Sequence, residues 1–118
     1  MSKPLHENIE VIESGYEFLL AYAAQGRESD DGSDTRATLS GMSDAANAIA
    51  ATLGEDNKEF SGVVVDDAKK AGAAIRLVLD QMKISSELVD NLNASIHLRA
   101  LLTDLFLLSE TGDTMGQS

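Results

Sequence analysis

The chain has 118 residues and no cysteine, which suits a single domain and excludes disulfides, thiolate nucleophiles and the usual structural zinc sites. Nine Lys and Arg against 20 Asp and Glu give a formal net charge of -11. A charge of this sign repels phosphate backbones and anionic lipid surfaces, so we expect no nucleic-acid binding and no membrane binding. Because no apolar run has the length of a secretory signal or a membrane span, we expect a cytoplasmic protein.

The first predicted helix covers about 5–25 and ends before Gly26. Apolar residues recur every three or four positions in two adjacent stripes, so more than half of the circumference is apolar and the helix needs two neighbours. Gly15 weakens the helix interior and therefore predicts a close approach of another backbone. The two stripes are Leu5, Ile9, Ile12, Tyr16, Leu19 and Ala23, and Val11, Gly15, Phe18 and Tyr22.

A polar segment at 26–34, rich in Asp, Gly and Ser, is predicted to be a flexible acidic loop. Ser33 or Asp34 at its end is a suitable cap for a second helix over about 34–53, which Gly54 terminates. This helix has few large side chains, so its stability must come from packing.

The third predicted helix covers about 56–83. Asp56 followed by Glu59 has the spacing of a capping box at its start. The β-branched run 63–65 is the one place where a strand is arguable, but the helical period on both sides is longer and favours a helix.

The fourth predicted helix covers about 86–110, with Ser85 or Ser86 as its cap and Gly112 after its end. Within it, the segment 98–108 is apolar on almost every side. A helix of that kind must be covered by protein on several faces.

Together these patterns predict an all-α, four-helix, mostly antiparallel bundle in one domain over 1–112, with a disordered tail at 113–118. The first and fourth helices should be central, because each is too apolar for a single neighbour. Their surplus apolar surface predicts a homodimer. Its interface would comprise Val11, Phe18, Tyr22, Leu101, Leu105 and Leu108, and the packing anchors would be Leu101, Leu105 and Phe106.

Arg99 is expected to be a buried charge, because it follows Ile96 by three positions on an apolar helix. Such a group requires a carboxylate partner, more often from a neighbouring helix or an oligomer interface than from a bound anion. His97 lies on the more polar side and is expected to be an ordinary surface or interface histidine. We predict no catalytic residue, no metal site and no cofactor.

Glu10, Glu13 and Glu17 lie three and four residues apart and therefore share one side of the first helix. Like charges at this spacing destabilise a helix slightly, and a cation would relieve the repulsion. A solvated surface, a metal ion and a basic partner protein are all compatible with the pattern. We predict that these residues steer a partner protein with a basic surface electrostatically.

The sequence thus favours a small non-enzymatic accessory or regulatory protein that acts by protein–protein interaction. One alternative is a metal-binding or small-ligand-binding bundle, or an enzyme of that architecture, that uses Glu10, Glu13 and His97. A second alternative is an inhibitor that mimics DNA with its acidic residues. The acidity is also compatible with a high-salt source.

Overall fold

The structure is a computed structural model that describes residues 3–111. The segments with apolar periodicity form helices. Within that range the chain forms five helices and no strand. They are α1 (Lys3–Ala23), α2 (Thr35–Leu53), α3 (Glu59–Leu79), α4 (Ser86–Asn93) and α5 (Ile96–Thr111). The all-helical prediction is confirmed, including a helix through the β-branched run 63–65. The predicted tail at 113–118 lies outside the described residues.

The predicted fourth helix is two helices in the structure, which is the main correction to the sequence-based architecture. The break falls at Ala94 and Ser95, between α4 and α5. Asn93 donates its side-chain amide to the backbone carbonyl of Leu19 at 3.1 Å, and Ser95 Oγ accepts from the backbone N–H of His97. A contact to α1 at the end of α4 and a new cap at the start of α5 therefore separate the two helices.

This break changes which helices are central. α2 packs between α1 and α3, α3 packs against α5, and α4 packs on α1. α1 and α5 touch only slightly. The expectation that the first and last helices form the centre is therefore wrong, because splitting the last helix gives α1 and α5 different neighbours.

Gly15 packs against a second helix, but the group that approaches it is the Met42 side chain of α2 and not, as the sequence predicted, a backbone. A Cβ atom at this position would lie 2.5 Å from Cγ of Met42, which is fully buried on α2. A side chain at this position would therefore require Met42 to shift.

The loop at 26–34 is tied to the rest of the structure, in contrast to the flexible loop expected from its composition. Asp30 accepts from the backbone N–H of Ile84 at 3.0 Å and pairs with the Arg36 guanidinium at 3.2 Å. These bonds, led by the one from Ile84, hold the pKa of Asp30 below its ordinary value. Arg36 also donates to the backbone carbonyl of Leu79 at 2.8 Å, where α3 ends, four residues before the predicted end.

Candidate functional site

A groove of about 360 Å³ runs along the outside of the contact between α1 and α2. We call it the α1–α2 groove; small and apolar side chains line it. From α1 it receives Val11, Ser14, Gly15 and Phe18, and from α2 Ala37, Thr38 and Gly41. Two of the six residues predicted for an interface, Val11 and Phe18, therefore line the same surface depression.

The apolar part of this groove rests on a rigid support. Phe18 is half-buried and stacks on the ring of Tyr22, with ring centroids 6.5 Å apart. Tyr22 is itself buried, and its hydroxyl donates to the backbone carbonyl of Ile84 at 2.6 Å. Val11 is 39% exposed. The groove thus offers apolar surface on side chains that the fold already positions.

The three glutamates predicted to bind a partner follow the same helix, and we call them the acidic edge. Glu10 and Glu17 are exposed and Glu13 is half-buried. Because Glu10 and Glu17 lie four and three residues from Ser14, the helical repeat places them beside the α1–α2 groove. Within residues 3–111 the edge has one cationic contact, His6 to Glu10 at 3.6 Å, which is an ion pair only when His6 is protonated.

The other four predicted interface residues are core residues of one chain. Each is less than a tenth exposed: Tyr22, Leu101, Leu105 and Leu108. The break before Ile96 lets α5 pack on α3, which covers apolar residues that a continuous helix would have left to another chain. Phe106, expected to anchor packing, is instead 52% exposed.

Arg99 is exposed, so the prediction of a buried charge at this position is wrong. The prediction assumes that Ile96 lies in the core, but Ile96 is 74% exposed. Arg99, one helical turn further along, lies on the same exposed side of α5. The buried charge of α5 is Asp104, which is only 7% exposed.

Asp104 faces Asp67 of α3, and we call these two residues the acid pair. Burial, followed by the hydrogen bond and the negative charge of Asp67, raises the pKa of Asp104 to about 7. The Oδ2 atom of Asp104 is buried and accepts no hydrogen bond from the described residues. The sequence did contain a signal for this burial, because Leu101 and Leu108 lie three before and four after Asp104 on the same helix face.

His97 is exposed on α5, and the two glutamates of the metal-site alternative lie on α1. Across residues 3–111, no group of three or more His, Cys, Asp or Glu side chains is arranged to hold a metal ion. In the same range, no helix has both the length and the apolar character needed to cross a membrane.

Comparison with known proteins gives no family for this chain. No protein-family model matches it, and searches of curated proteins and of solved structures find no match. The function is therefore inferred from the geometry of the α1–α2 groove and its acidic edge.

Proposed function

We propose that this chain is a small non-enzymatic accessory or regulatory protein that binds another protein through the α1–α2 groove. In this proposal its helices form a mostly antiparallel bundle that serves as a rigid scaffold. The observation that supports it best is the position of Glu10 and Glu17, two residues of the acidic edge, one turn from Ser14 of a depression that also contains exposed Val11 and half-buried Phe18. Apolar surface supplies affinity, while charges at its margin increase the rate and the selectivity of association.

The partner segment that fits this surface is an amphipathic helix with a basic face. From Val11 to Phe18 the groove follows two turns of α1, about 10 Å at 1.5 Å per residue. A helix that places apolar residues at positions i, i+3 and i+7 spans this length. The absence of a side chain at Gly41 leaves room for the side chains of the partner helix, and Lys or Arg beside its apolar stripe would face the acidic edge.

A different protein suits the groove better than a second copy of this chain. The chain has a net charge of -11, so two copies approaching through their acidic edges repel each other. The homodimer expected from the sequence is not part of the proposal, since four of its six interface residues are buried in the core of one chain.

A designed peptide provides the test. The probe is a helical peptide of Leu, Ala and Lys with the i, i+3, i+7 apolar pattern, and its control is a scrambled peptide of the same composition. We expect the patterned peptide to bind at least tenfold more tightly than the scrambled one. Equal affinity for the two peptides would contradict docking in a shaped apolar groove.

Charge reversal tests the acidic edge separately. The triple variant Glu10→Lys, Glu13→Lys, Glu17→Lys should slow association with the patterned peptide and reduce its dependence on salt. A matched control reverses three exposed glutamates elsewhere: Glu28→Lys, Glu55→Lys and Glu110→Lys. Stopped-flow association rates that fall equally in both triple variants would show only an effect of net charge, and the steering role would be rejected.

The shape of the molecule favours DNA mimicry as a second candidate, and its charge density argues against it. The structure extends over 44 × 20 × 20 Å, a rod-like form. A net charge of -11 for the whole chain over that length is about one charge per 4 Å, whereas duplex DNA carries one per ~1.7 Å. Competition with duplex DNA for a basic protein would support mimicry; selective loss of peptide binding in the acidic-edge triple variant supports the groove instead.

A further inference from the structure

A second depression, of about 510 Å³, lies along α5 and is formed by none of the residues of the α1–α2 groove. We call it the α5 groove. Its lining combines an apolar surface with polar side chains at one margin. The lining residues are Ala94, Ile96, Arg99, Ala100, Thr103 and Asp104.

The acid pair at this groove has no cation to balance it. Asp104 is more than nine-tenths buried, and its Oδ2 atom accepts no hydrogen bond from residues 3–111. Of the two lysines that follow Asp67 on α3, Lys70 pairs with Asp66 at 3.1 Å, and Lys69 is exposed and forms no salt bridge with the described residues. Arg99 is exposed and forms no salt bridge with the described part of the chain. A proton between the two carboxyl groups is then what offsets their repulsion.

The apolar surface of the groove suits a chain of methylene groups. Ile96 is 74% exposed, Ala94 is exposed and Ala100 is half-buried. An apolar surface of this kind in the same groove as a buried, unpartnered carboxyl group is suited to a ligand that is aliphatic at one end and cationic at the other.

We propose that the α5 groove binds a primary alkylammonium group, which replaces the proton between Asp67 and Asp104 while its methylene groups pack on Ala100 and extend along the groove towards Ile96. The ammonium donates up to three hydrogen bonds, and the two carboxylates accept them. This inference is independent of partner binding in the α1–α2 groove.

The net charge of the site is the same before and after binding. Before binding, the acid pair holds one proton and carries one negative charge. On binding, that proton leaves to solvent and both carboxylates are ionised, so the ammonium offsets one of their two charges and the site keeps one net negative charge. The titratable group that faces Asp104 is Asp67 from α3, and no group of α1 or α4 is among the causes of its pKa shift. Arg99 lines the same groove but is not among those causes either.

Proton release gives the site a specific pH dependence. The pKa of Asp104 is raised to about 7, whereas an alkylammonium keeps its charge up to a pH of about 10. Below pH 7 the ligand must displace a proton, so its affinity should rise by up to about tenfold per pH unit and level off above the pKa.

Calorimetry with n-butylammonium chloride tests this inference on the full chain, with n-butanol as the uncharged control ligand. Titrations at pH 6, 7 and 8, in buffers of different ionisation enthalpy, measure affinity and proton release together. We expect millimolar binding that strengthens with pH, release of up to about one proton at pH 6, and no binding of butanol. The absence of butylammonium binding, or binding with no proton release at pH 6, would overturn the proposal.

Variants locate the site. Asp104→Asn should weaken butylammonium binding at pH 8 at least tenfold and abolish the proton release, and Asp67→Asn is the second variant in case the first fails to fold. Asp90→Asn, which neutralises an exposed carboxylate on α4, is the matched control and should bind as the unaltered chain does. If Asp90→Asn and Asp104→Asn weakened butylammonium binding equally, the effect would come from net charge alone, and the assignment of the site would be overturned.

The same titration separates two sources of the alkylammonium group. Spermidine represents a free polyamine, and an acetylated, amidated lysine peptide represents the side chain of a protein partner. Tighter binding of spermidine would identify the site as one for polyamines, and tighter binding of the peptide would identify it as a lysine pocket. The failure of both to compete with butylammonium would contradict the site.

Discussion

α1 and α5 are both rich in apolar residues, but they place their carboxylates differently. α1 keeps Glu10 and Glu17 exposed beside the α1–α2 groove, where water screens their mutual repulsion. α5 turns Asp104 inward against Asp67, where burial makes the charged form costly. The exposed carboxylates are therefore suited to attract a partner, and the buried one is suited to respond to a proton or a cation.

The largest expected effect tests whether the inner face of α5 belongs to the core. Leu105 is fully buried beside Asp104, so Leu105→Ala should lower the free energy of unfolding by about 2–5 kcal/mol. The adjacent Phe106 is 52% exposed, and Phe106→Ala should cost about 1 kcal/mol or less. Urea unfolding of both variants measures the difference. Similar losses in the free energy of unfolding would mean that the face of α5 containing Leu105 is not buried.

The pH dependence of stability tests the buried carboxyl group. Because the pKa of Asp104 is higher in the folded chain than its ordinary value of 3.8, its contribution to stability is complete below pH 4 and is lost as pH rises to about 7. The loss is up to about 1.4 kcal/mol per pH unit in that window.

Asp104→Asn should remove this loss and raise stability at pH 8 relative to the unaltered chain. Asp90→Asn is the control and should leave the pH profile unchanged. Thermal unfolding between pH 4 and 8 is the measurement. Parallel profiles for Asp104→Asn and the unaltered chain would show that Asp104 ionises normally.

A smaller effect tests the close packing beneath the α1–α2 groove. Gly62 of α3 has nothing within 4 Å of an added Cβ, so Gly62→Ala should stabilise the chain by up to about 1 kcal/mol through helix propensity. Gly15→Ala should instead be less stable than Gly62→Ala by about 1–3 kcal/mol, because its Cβ would displace the buried Met42. Equal stabilisation by both substitutions, measured by urea unfolding, would mean that α1 and α2 are further apart.

The helices were predictable from the sequence because their signals are local. The period of three and four residues located α1, α2 and α3, and Ser85 does cap the next helix, accepting from the backbone N–H of Leu88 at 3.0 Å. The break at Ala94 and Ser95 was not predictable in this way. It involves neither Gly nor Pro, and a tertiary bond from Asn93 to Leu19 accompanies it.

The candidate site was predictable only in part, for the same reason. The spacing of Glu10, Glu13 and Glu17 on one side of a helix follows from the helical repeat, and so does the position of Glu10 and Glu17 next to Ser14 at the margin of the groove. That Arg99 is exposed and Asp104 buried depends on which side of α5 meets α3. The apolar residues around α5 leave that orientation open, since they occur on nearly every side of it.

The central claim, that a basic amphipathic helix docks in the α1–α2 groove, is tested most directly by an NMR titration of isotope-labelled chain with the patterned peptide. We predict that amide shifts concentrate at Val11, Ser14, Phe18 and Gly41, and that the acidic-edge triple variant weakens them. Shifts spread evenly over the exposed acidic residues, or centred on α5 with the α1–α2 groove unchanged, would contradict the claim.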